Sequence, residues 1–329
     1  MSATLLEVRN LHTVFHAEKG AFAAVNDVSF SVGRGEILGL VGESGSGKSV
    51  TGLSIMGLID PPGEIVAGEI LFKGEDLRRK SASEMRLLRG DRIAMIFQDP
   101  LMTLNPVLRI GEQMTEAITE HAAIHRAEAL RRAAEALAQV GIPSPEARLR
   151  GYPHELSGGM RQRVAIAIAM LNKPDLIIAD EPTTALDVTI QAQILYEMQR
   201  LVRASGTSMI WITHDLGVIA GLADRVAVMY AGRIVETGTV DEILDSPRHP
   251  YTQGLLRSVP SANRPGDRLA QIEGMSPSLA ARPPGCAFHP RCPRALDICR
   301  HDDPAPTAVD SRRSWRCHNP APAGVAVPA

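Results

Sequence analysis

The sequence lacks the features that would bring it into a membrane or onto nucleic acid by itself. No uninterrupted apolar run approaches the roughly 18 residues of a membrane-spanning helix, and residues 1–9 lack the charged-then-apolar layout of a secretory signal. The formal net charge is only −2, so no bulk basic field is present and nucleic acid is not an expected partner. We therefore expect a soluble, cytosolic chain that associates with a membrane only through a partner.

Cysteine is scarce and is confined to one end of the chain. All four cysteines and about half of the 23 prolines lie after residue 259, whereas the overall composition is ordinary for a globular protein. With 329 residues, the chain has room for about two domains. We expect the last stretch to be a loop-rich appendage that needs cross-links or a metal to hold its shape, with a disordered tail over 321–329.

A glycine-rich stretch carries the strongest chemical signal. It lies between an apolar run and a helix-like segment, and it consists of Gly42, Glu43, Ser44, Gly45, Ser46, Gly47, Lys48 and Ser49. Its spacing is that of a phosphate loop, in which backbone N–H groups at the start of a helix bind phosphate oxygens. Lys48 would neutralise the β- and γ-phosphates, and the Ser49 hydroxyl would ligate Mg²⁺. The stretch predicts a nucleotide site, and a chance glycine-rich turn is the alternative.

Short apolar runs alternate with helical patterns along most of the chain. Strands are predicted near 6–11 and at 24–30, 66–72, 92–97, 176–179, 209–213, 225–230 and 233–237, and helices at 124–140, 160–171 and 190–204. Such alternation predicts a parallel sheet covered on both faces. The stretch from 101 to about 151 instead indicates a helical insertion between two strand-rich parts.

Two acids close one of the predicted buried strands. Asp180 and Glu181 follow the apolar residues 176–179, and a buried parallel strand ends at the sheet edge where ligands gather. Asp180 could hold Mg²⁺ there, directly or through water, and Glu181 could polarise the attacking water as a general base. The alternative is that both acids only cap the next turn.

A second glycine pair stands at a predicted helix start. Ser157 would be the N-cap, and Gly158 and Gly159 leave backbone N–H groups open to an anion. Taken alone, this pattern is more often a plain helix cap.

Three single side chains are ambiguous by themselves. A lone histidine at a strand end, such as His214, is more often structural than functional. Gln98 opens a proline-flanked turn and is similarly ambiguous. Phe15, just before a predicted turn, is either a platform for stacking an adenine ring or a buried strand aromatic.

The order of these signals is more specific than any one of them. The phosphate loop, Gln98, Leu156-Ser157-Gly158-Gly159, the acids at 180–181, Ala185-Leu186-Asp187 and His214 together resemble the ATP-binding cassette of ABC transporters over about residues 5–245. Met160 departs from the pattern, because the family most often has glutamine there, but its backbone can still serve the helix start.

This resemblance implies an α/β fold. It is that of an ABC-type phosphate-loop ATPase with a mostly parallel core sheet, an N-terminal antiparallel β subdomain, an α-helical subdomain and a Cys/Pro-rich C-terminal extension. The ATP-binding domain would span 1–245, with the helical subdomain at about 101–160, and the C-terminal region would span 246–329.

The resemblance also implies that one chain is half of a catalytic unit. ATP would lie between the phosphate loop of one cassette and the Ser157-Gly158-Gly159 element of a second, which is a related chain or a copy of this one. His214 would contact the γ-phosphate, Gln98 would sense Mg²⁺ and water, and Asp187 would reach across the pair. The turn-rich stretch 101–106 would form part of the groove that receives a short helix of the membrane permease.

Two stretches near the C-terminus indicate which group of ABC transporters the chain resembles. His249–Leu256 and Pro284–Pro293 resemble the C-terminal region of oligopeptide/dipeptide importer ATPases. Peptide import is therefore expected, with nickel or glutathione import as the alternatives that share this region. The family arrangement implies two permease subunits, an extracytoplasmic solute-binding protein reached through the permease, and a peripheral position on the cytoplasmic face of the inner membrane.

The cysteines suggest a metal cluster. Cys286, Cys292, Cys299 and Cys317 are separated by 5, 6 and 17 residues, which fits structural zinc poorly, and disulfides are not expected in a cytosolic chain. Four thiolates in a segment without its own core suit an iron–sulfur cluster, and free thiols are the alternative. The resemblance implies a [4Fe–4S] centre with a structural or regulatory role.

Two other function classes compete with a transport ATPase. A soluble cassette ATPase of DNA repair or translation would usually carry two cassettes or long coiled-coil insertions, and neither is visible here. A non-catalytic regulatory protein would not need the full set of acid, glutamine and histidine elements.

Overall fold

The structure is a computed structural model, and it describes residues 3–18, 20–184, 187–259, 271–310 and 312–322. The chain divides into two compact units. The helical unit comprises Gly33–Glu36 and Arg79–Ile210 together with the start of the chain. The sheet unit comprises Thr4–Val32, Ile37–Arg78 and the described residues from Trp211 onward.

The sheet unit begins with a four-stranded sheet in the order β2-β1-β4-β5. Its strands are β1 (Thr4–Ala17), β2 (Gly20–Gly33), β4 (Gly63–Phe72) and β5 (Glu75–Asp76). β1 and β4 are antiparallel, with Leu6 opposite Phe72. The predicted N-terminal antiparallel sheet is thus confirmed.

A second set of strands in the same unit runs in the order β11-β12-β10-β9-β3. They are β3 (Ile37–Val41), β9 (Arg225–Tyr230), β10 (Arg233–Thr239), β11 (Thr307–Ala308) and β12 (Ser314–Trp315). Every residue of β3 and β9 is buried, and the two strands are parallel, as continuous apolar runs predict. β9 and β10 form the predicted hairpin.

Helices complete the sheet unit. They are α1 (Lys48–Met56), α8 (Leu216–Ala220), α9 (Val240–Asp245) and α10 (Pro250–Arg257). Of these, only the segment following the phosphate loop was predicted, because α8, α9 and α10 have only 5, 6 and 8 residues.

The C-terminal region is held by ordinary non-covalent contacts. β12 pairs with β10, placing Trp315 opposite Glu236. Arg313 forms an ion pair with the fully buried Glu236 at 3.0 Å. All four cysteines are free thiols, so the expectation that this region needs cross-links or a metal was wrong. The backbone N–H of Ala321 donates to the Arg248 carbonyl at 2.8 Å, whereas the rest of the predicted disordered tail, from residue 323, lies outside the described residues.

The helical unit contains a parallel strand pair and most of the long helices. Its elements are α2 (Ala82–Leu88), β6 (Ile93–Ile96), α3 (Ile110–Thr119), α4 (Arg126–Gln139), α5 (Pro145–Leu149), α6 (Gly158–Met170), β7 (Leu176–Asp180) and α7 (Val188–Ser205). β6 and β7 are parallel. β8 (Ser208–Thr213) begins in this unit and ends in the sheet unit.

The buried face of α4 differs from the predicted one by one position. The sequence pattern favoured Leu130, Ala134, Leu137 and Val140. Leu137 and Val140 are buried, but Ala129 and Ala133 are buried in place of Leu130 and Ala134. Small alanine side chains on the inner face let neighbouring helices approach closely, and this spacing is invisible to a pattern that weights large apolar residues. Gly141 follows the helix with φ +72°, as a C-terminal stop requires.

None of the helices within the described residues is both long and apolar enough to cross a membrane.

Candidate functional site

The phosphate loop joins β3 to α1 and fits its surroundings only with glycine at two positions. A Cβ at Gly42 would lie 2.1 Å from the carbonyl oxygen of Met229 on β9. Gly47 has φ +102°, and a Cβ there would lie 2.3 Å from the carbonyl oxygen of Ala24 on β2. Because both obstacles are backbone atoms, neither can rotate away. The loop is therefore locked against two strands of the sheet unit.

Lys48 is folded back over this loop. Its side chain is almost fully buried, and the Nζ donates to the carbonyl oxygens of Gly42 at 2.8 Å and Glu43 at 3.0 Å. Ser44 and Gly45 form the exposed crest of the loop, and Ser46 is buried beneath it. A buried ammonium group beside a helix start without acidic residues in its first turn is suited to an anion. The residues present thus fit the phosphates of a nucleotide.

Ser49, Phe15 and His214 belong to the same unit as the loop. Ser49 is the second residue of α1 and is partly exposed, and a serine at this position of a phosphate loop is a typical ligand for Mg²⁺. Phe15 on β1 is half-buried and stacks on Phe22, with ring centroids 5.9 Å apart. His214 follows β8 and is exposed.

Gln98, Asp180 and Glu181 gather at one edge of the strand pair in the helical unit. Ile96 lies opposite Ala179 in the parallel ladder, so the residues that follow the two strands leave the sheet at the same edge. Asp180 ends β7 and is buried, whereas Gln98 is exposed. Glu181 has φ +44°, an uncommon conformation for a residue with a side chain. Its Oε2 accepts a hydrogen bond from the Thr184 hydroxyl at 3.0 Å.

The helix starts at Ser157 and Asp187 are adjacent in the helical unit. Ser157 caps α6 by accepting the Met160 N–H at 3.3 Å, and Asp187 caps α7 by accepting the Ile190 N–H at 3.0 Å. A Cβ at Gly159 would lie 3.0 Å from the Ile190 side chain. Gly158 and Ser157 are exposed. Ala185 and Leu186, which precede Asp187, lie outside the described residues.

The predicted [4Fe–4S] centre was wrong. Among the described residues, which include all four cysteines, no three or more His, Cys, Asp or Glu side chains converge into a group that could hold a metal ion. Burial raises the pKa of Cys286 to about 11 and that of Cys317 to about 12, and it also raises the pKa of Cys292. All four cysteines are free thiols in this structure.

Sequence reasoning missed two residues that contact the phosphate loop. The hydroxyl of Tyr251, on α10, accepts the backbone N–H of Glu43 at 2.8 Å. Arg291 forms an ion pair with the Glu43 carboxylate at 2.7 Å. Both lie inside the two C-terminal stretches quoted above for their resemblance, which was the available signal. Nothing in the spacing of those stretches indicates that they reach a loop more than 200 residues away.

Two family models match this chain. The model described as "ABC transporter" matches residues 25–184, and "Oligopeptide/dipeptide transporter, C-terminal region" matches residues 235–299.

Curated relatives match the chain over nearly its whole length. It is 50% identical over 316 residues to the dipeptide transport ATP-binding protein DppD of Escherichia coli strain K12, covering 96% of this chain and 97% of the relative. It is 53% identical over 323 residues to the oligopeptide transport ATP-binding protein OppD of Bacillus subtilis strain 168, covering 97% of this chain and 90% of the relative.

Solved structures show the same fold. The dimeric structure of MJ0796, a bacterial ABC transporter cassette, superimposes with a TM-score of 0.65 at 27% identity, over 72% of this chain and 99% of that one. A dimeric post-hydrolysis state of MJ0796 bound to ADP and Pi gives a TM-score of 0.65 at 26% identity, over the same shares of both chains.

Proposed function

This chain belongs to the ABC transporter family of ATP-binding proteins, and on that premise we propose that it binds and hydrolyses ATP to power the import of dipeptides or oligopeptides through a membrane permease. The observation that carries the proposal is the phosphate loop, in which Gly42 and Gly47 are sterically required and Lys48 is buried over the loop. The relatives quoted above are named for dipeptide and oligopeptide transport, so nickel or glutathione import is not favoured.

The roles of the ATP-contacting residues follow from the order of the motifs. The phosphate loop would bind the phosphates of ATP, with Ser44, Gly45 and Ser46 offering backbone N–H groups and Lys48 its positive charge. Phe15 would stack on the adenine.

The Mg²⁺ ion and the attacking water involve a second group of residues. Mg²⁺ would be held by Ser49, Asp180 and Gln98, and it would neutralise charge that develops on the phosphate oxygens.

Hydrolysis needs a base and a partner subunit. Glu181 would accept a proton from the water that attacks the γ-phosphorus, as the bond to the β-phosphate oxygen breaks and ADP leaves. His214 would contact the γ-phosphate. The nucleotide of a second cassette would be contacted by Ser157, Gly158, Gly159 and Asp187, because Ser157, Gly158 and Asp187 are exposed where two helices begin. The dimeric state of the MJ0796 cassette supports this pairing.

The permease would bind near the turn that follows Gln98. Leu101, Met102 and Val107 are 52%, 76% and 76% exposed, and such apolar exposure on a helical unit is typical of a docking surface. We propose that a permease subunit docks there, on the cytoplasmic side of the membrane. The assembly would contain two permease subunits, and a solute-binding protein would deliver the peptide from the other side. We further propose an ATP-binding domain at 1–245 and a C-terminal region at 246–329.

Peptide uptake by cells tests this proposal. A native host without the gene should lose uptake of a labelled dipeptide, and the wild-type chain should restore it. A chain with Glu181→Gln should not restore it, although it should be present at the same level. Uptake of labelled nickel by the same cells is the control and should not change. Full peptide uptake with the Glu181→Gln chain would contradict the proposal.

A further inference from the structure

The second residue of the phosphate loop is tied to the C-terminal region by a two-pronged ion pair. Nη1 of Arg291 donates to Oε2 of Glu43 at 2.7 Å, and Nη2 donates to Oε1 at 2.9 Å. The Arg291 side chain is 6% exposed and that of Glu43 is 27% exposed. Parallel bonds of this kind fix the orientation of both groups. Ser276 also donates a hydrogen bond to the same carboxylate.

Arg291 is itself held in place by its surroundings. Its Nε donates to the carbonyl oxygen of Glu273 at 3.0 Å, and its guanidinium lies 5.9 Å from the centroid of the Tyr230 ring. Tyr230 packs against Tyr251 and Phe288, with centroid distances of 4.5 and 5.2 Å. The arginine is therefore part of a packed cluster and is not a loose surface side chain.

The backbone of Glu43 is held by a second contact from the same region. Its N–H donates to the Tyr251 hydroxyl, and its carbonyl oxygen accepts from Lys48. The side chain and the backbone of one loop residue are thus anchored separately. Glu43 therefore fixes the start of the loop that is expected to bind phosphate.

The negative charge of Glu43 is the reason why its ion pair with Arg291 matters for anion binding. Burial alone would raise the pKa of this carboxyl, but hydrogen bonds from Arg291 and Ser276 and the positive charges of Arg291 and Lys48 outweigh burial and hold the pKa below its ordinary value. Glu43 is therefore ionised at neutral pH. A negative charge on a phosphate loop repels the anion that the loop must bind, unless a cation neutralises it.

We propose that Arg291 is a positioning residue for nucleotide binding, which neutralises and orients Glu43 so that the C-terminal region sets the affinity of the phosphate loop. This inference rests on the proposed function, because it assumes that the loop binds a nucleotide. Arg291 acts through Glu43 and does not itself contact the nucleotide.

A comparable ion pair provides a matched control. Arg316 also belongs to the C-terminal region, and its Nη2 lies 2.6 Å from Oδ2 of Asp27 on β2. The side chains of Arg316 and Asp27 are 14% and 26% exposed. Removing this arginine also breaks an ion pair between the C-terminal region and an early strand, but it leaves the phosphate loop untouched.

The test is a calorimetric titration of the full-length chain with MgADP. Arg291→Ala should raise the dissociation constant about tenfold, because it leaves the Glu43 charge unpaired. Arg316→Ala should stay within about twofold of the wild type. In a Glu43→Gln background, the further change Arg291→Ala should raise the dissociation constant by less than about threefold, because no charge remains to be neutralised.

Salt gives a second readout that a purely structural role would not produce. The ratio between the dissociation constants of Arg291→Ala and wild type should shrink at 1 M NaCl relative to 0.05 M, because salt screens the Glu43 charge. If Arg291→Ala does not fold, Arg291→Gln serves in its place, since it keeps most of the side-chain volume without the charge.

Three results would overturn the inference. The first is an affinity for MgADP in Arg291→Ala equal to that of the wild type. The second is that Arg291→Ala weakens MgADP binding as much in the Glu43→Gln background as in the wild type. The third is that Arg316→Ala weakens MgADP binding as much as Arg291→Ala does. The failure of the proposed function looks different, because the wild-type chain would then bind no MgADP, or Lys48→Ala would bind it as tightly as the wild type.

Discussion

A buried histidine makes the stability of this chain depend on pH in a calculable way. His249 is 1% exposed and caps α10, where its Nδ1 accepts the Tyr251 N–H at 3.0 Å. Its own backbone N–H donates to the buried Glu236 at 2.9 Å, and its ring lies 5.8 Å from that of Phe288. Burial lowers the pKa of His249 from 6.5 to about 3, and a hydrogen bond with the backbone of Arg316 acts in the opposite direction.

The sign of the effect follows from proton binding. Between pH 6.5 and about pH 3, the unfolded chain carries a proton on His249 that the folded chain does not. Acid therefore favours the unfolded state, and the contribution of His249 to stability is complete above pH 6.5 and falls as the pH is lowered. Each pH unit in this window removes about 1.4 kcal/mol. At pH 5 the loss is about 2 kcal/mol.

The measurement compares the wild type with His249→Asn. Asparagine can also cap a helix through its side-chain oxygen, but it does not titrate. Urea unfolding at pH 7.5 and pH 5.0 would be followed by the fluorescence of Trp211 and Trp315, the chain's two tryptophans, which are both buried in the sheet unit. We expect the wild type to lose about 2 kcal/mol more than His249→Asn between the two pH values.

Other titrating groups cancel in this comparison. Burial raises the pKa of the Glu236 carboxyl, which faces the start of α10, but Glu236 is present in both proteins. If wild type and variant lose the same free energy of unfolding on acidification, His249 is not held neutral in the folded state and the reasoning fails.

Three further changes and one control substitution test the nucleotide site. Lys48→Ala should abolish most MgATP binding measured by calorimetry, because it removes the buried ammonium group over the loop, and unchanged affinity would refute the phosphate-loop assignment. Glu181→Gln should keep ATP binding and slow steady-state phosphate release by about two to three orders of magnitude, whereas near-normal turnover would remove Glu181 from its role as base. Gly47→Ala should lower the free energy of unfolding by well over the roughly 1–2 kcal/mol of left-handed strain, because its Cβ would meet the Ala24 carbonyl at 2.3 Å. Gly45 has φ +76°, and no atom lies within 4 Å of a Cβ added there. Gly45→Ala should therefore lower the free energy of unfolding only by the amount of the left-handed strain. Equal decreases in Gly45→Ala and Gly47→Ala would contradict the steric argument.

Local signals predicted the elements that form the nucleotide site. Continuous apolar runs predicted β3 and β7, because buried parallel strands need apolar side chains on both faces. The glycine spacing predicted the turn between β3 and α1, and positive φ at Gly47 is the structural requirement behind it. In each case, the residues that determine the structure are neighbours in the sequence.

The C-terminal region could not be predicted in the same way. β12 has only two residues, too few to produce an alternating pattern, and it forms by pairing with a strand more than 70 residues earlier. Arg313 is buried against Glu236, although surface exposure is the normal expectation for arginine. Such pairings depend on tertiary structure and leave no local pattern.

The error over the iron–sulfur centre has a related cause. Four cysteines in a proline-rich segment fulfil the composition of a cluster site, but binding needs thiolates that converge on one point. Sequence spacing does not reveal convergence. The same segment was also expected to need cross-links or a metal, because it has few core residues of its own. It instead packs Phe288 against Tyr230 and Tyr251, and Phe288 is almost fully buried there.

This aromatic cluster links the packing of the C-terminal region to the chemistry of the phosphate loop. A glycine-rich loop has many unfolded conformations, so fixing it around an anion has a large entropic cost. Tyr251 and Arg291 restrain Glu43 at the start of the loop, and Gly42 and Gly47 are confined by two strands. The loop is therefore largely ordered before any ligand binds. Such pre-organisation raises affinity, because less conformational entropy is lost on binding. A contact that supplies both order and neutral charge gives the C-terminal region a direct physical influence on nucleotide affinity.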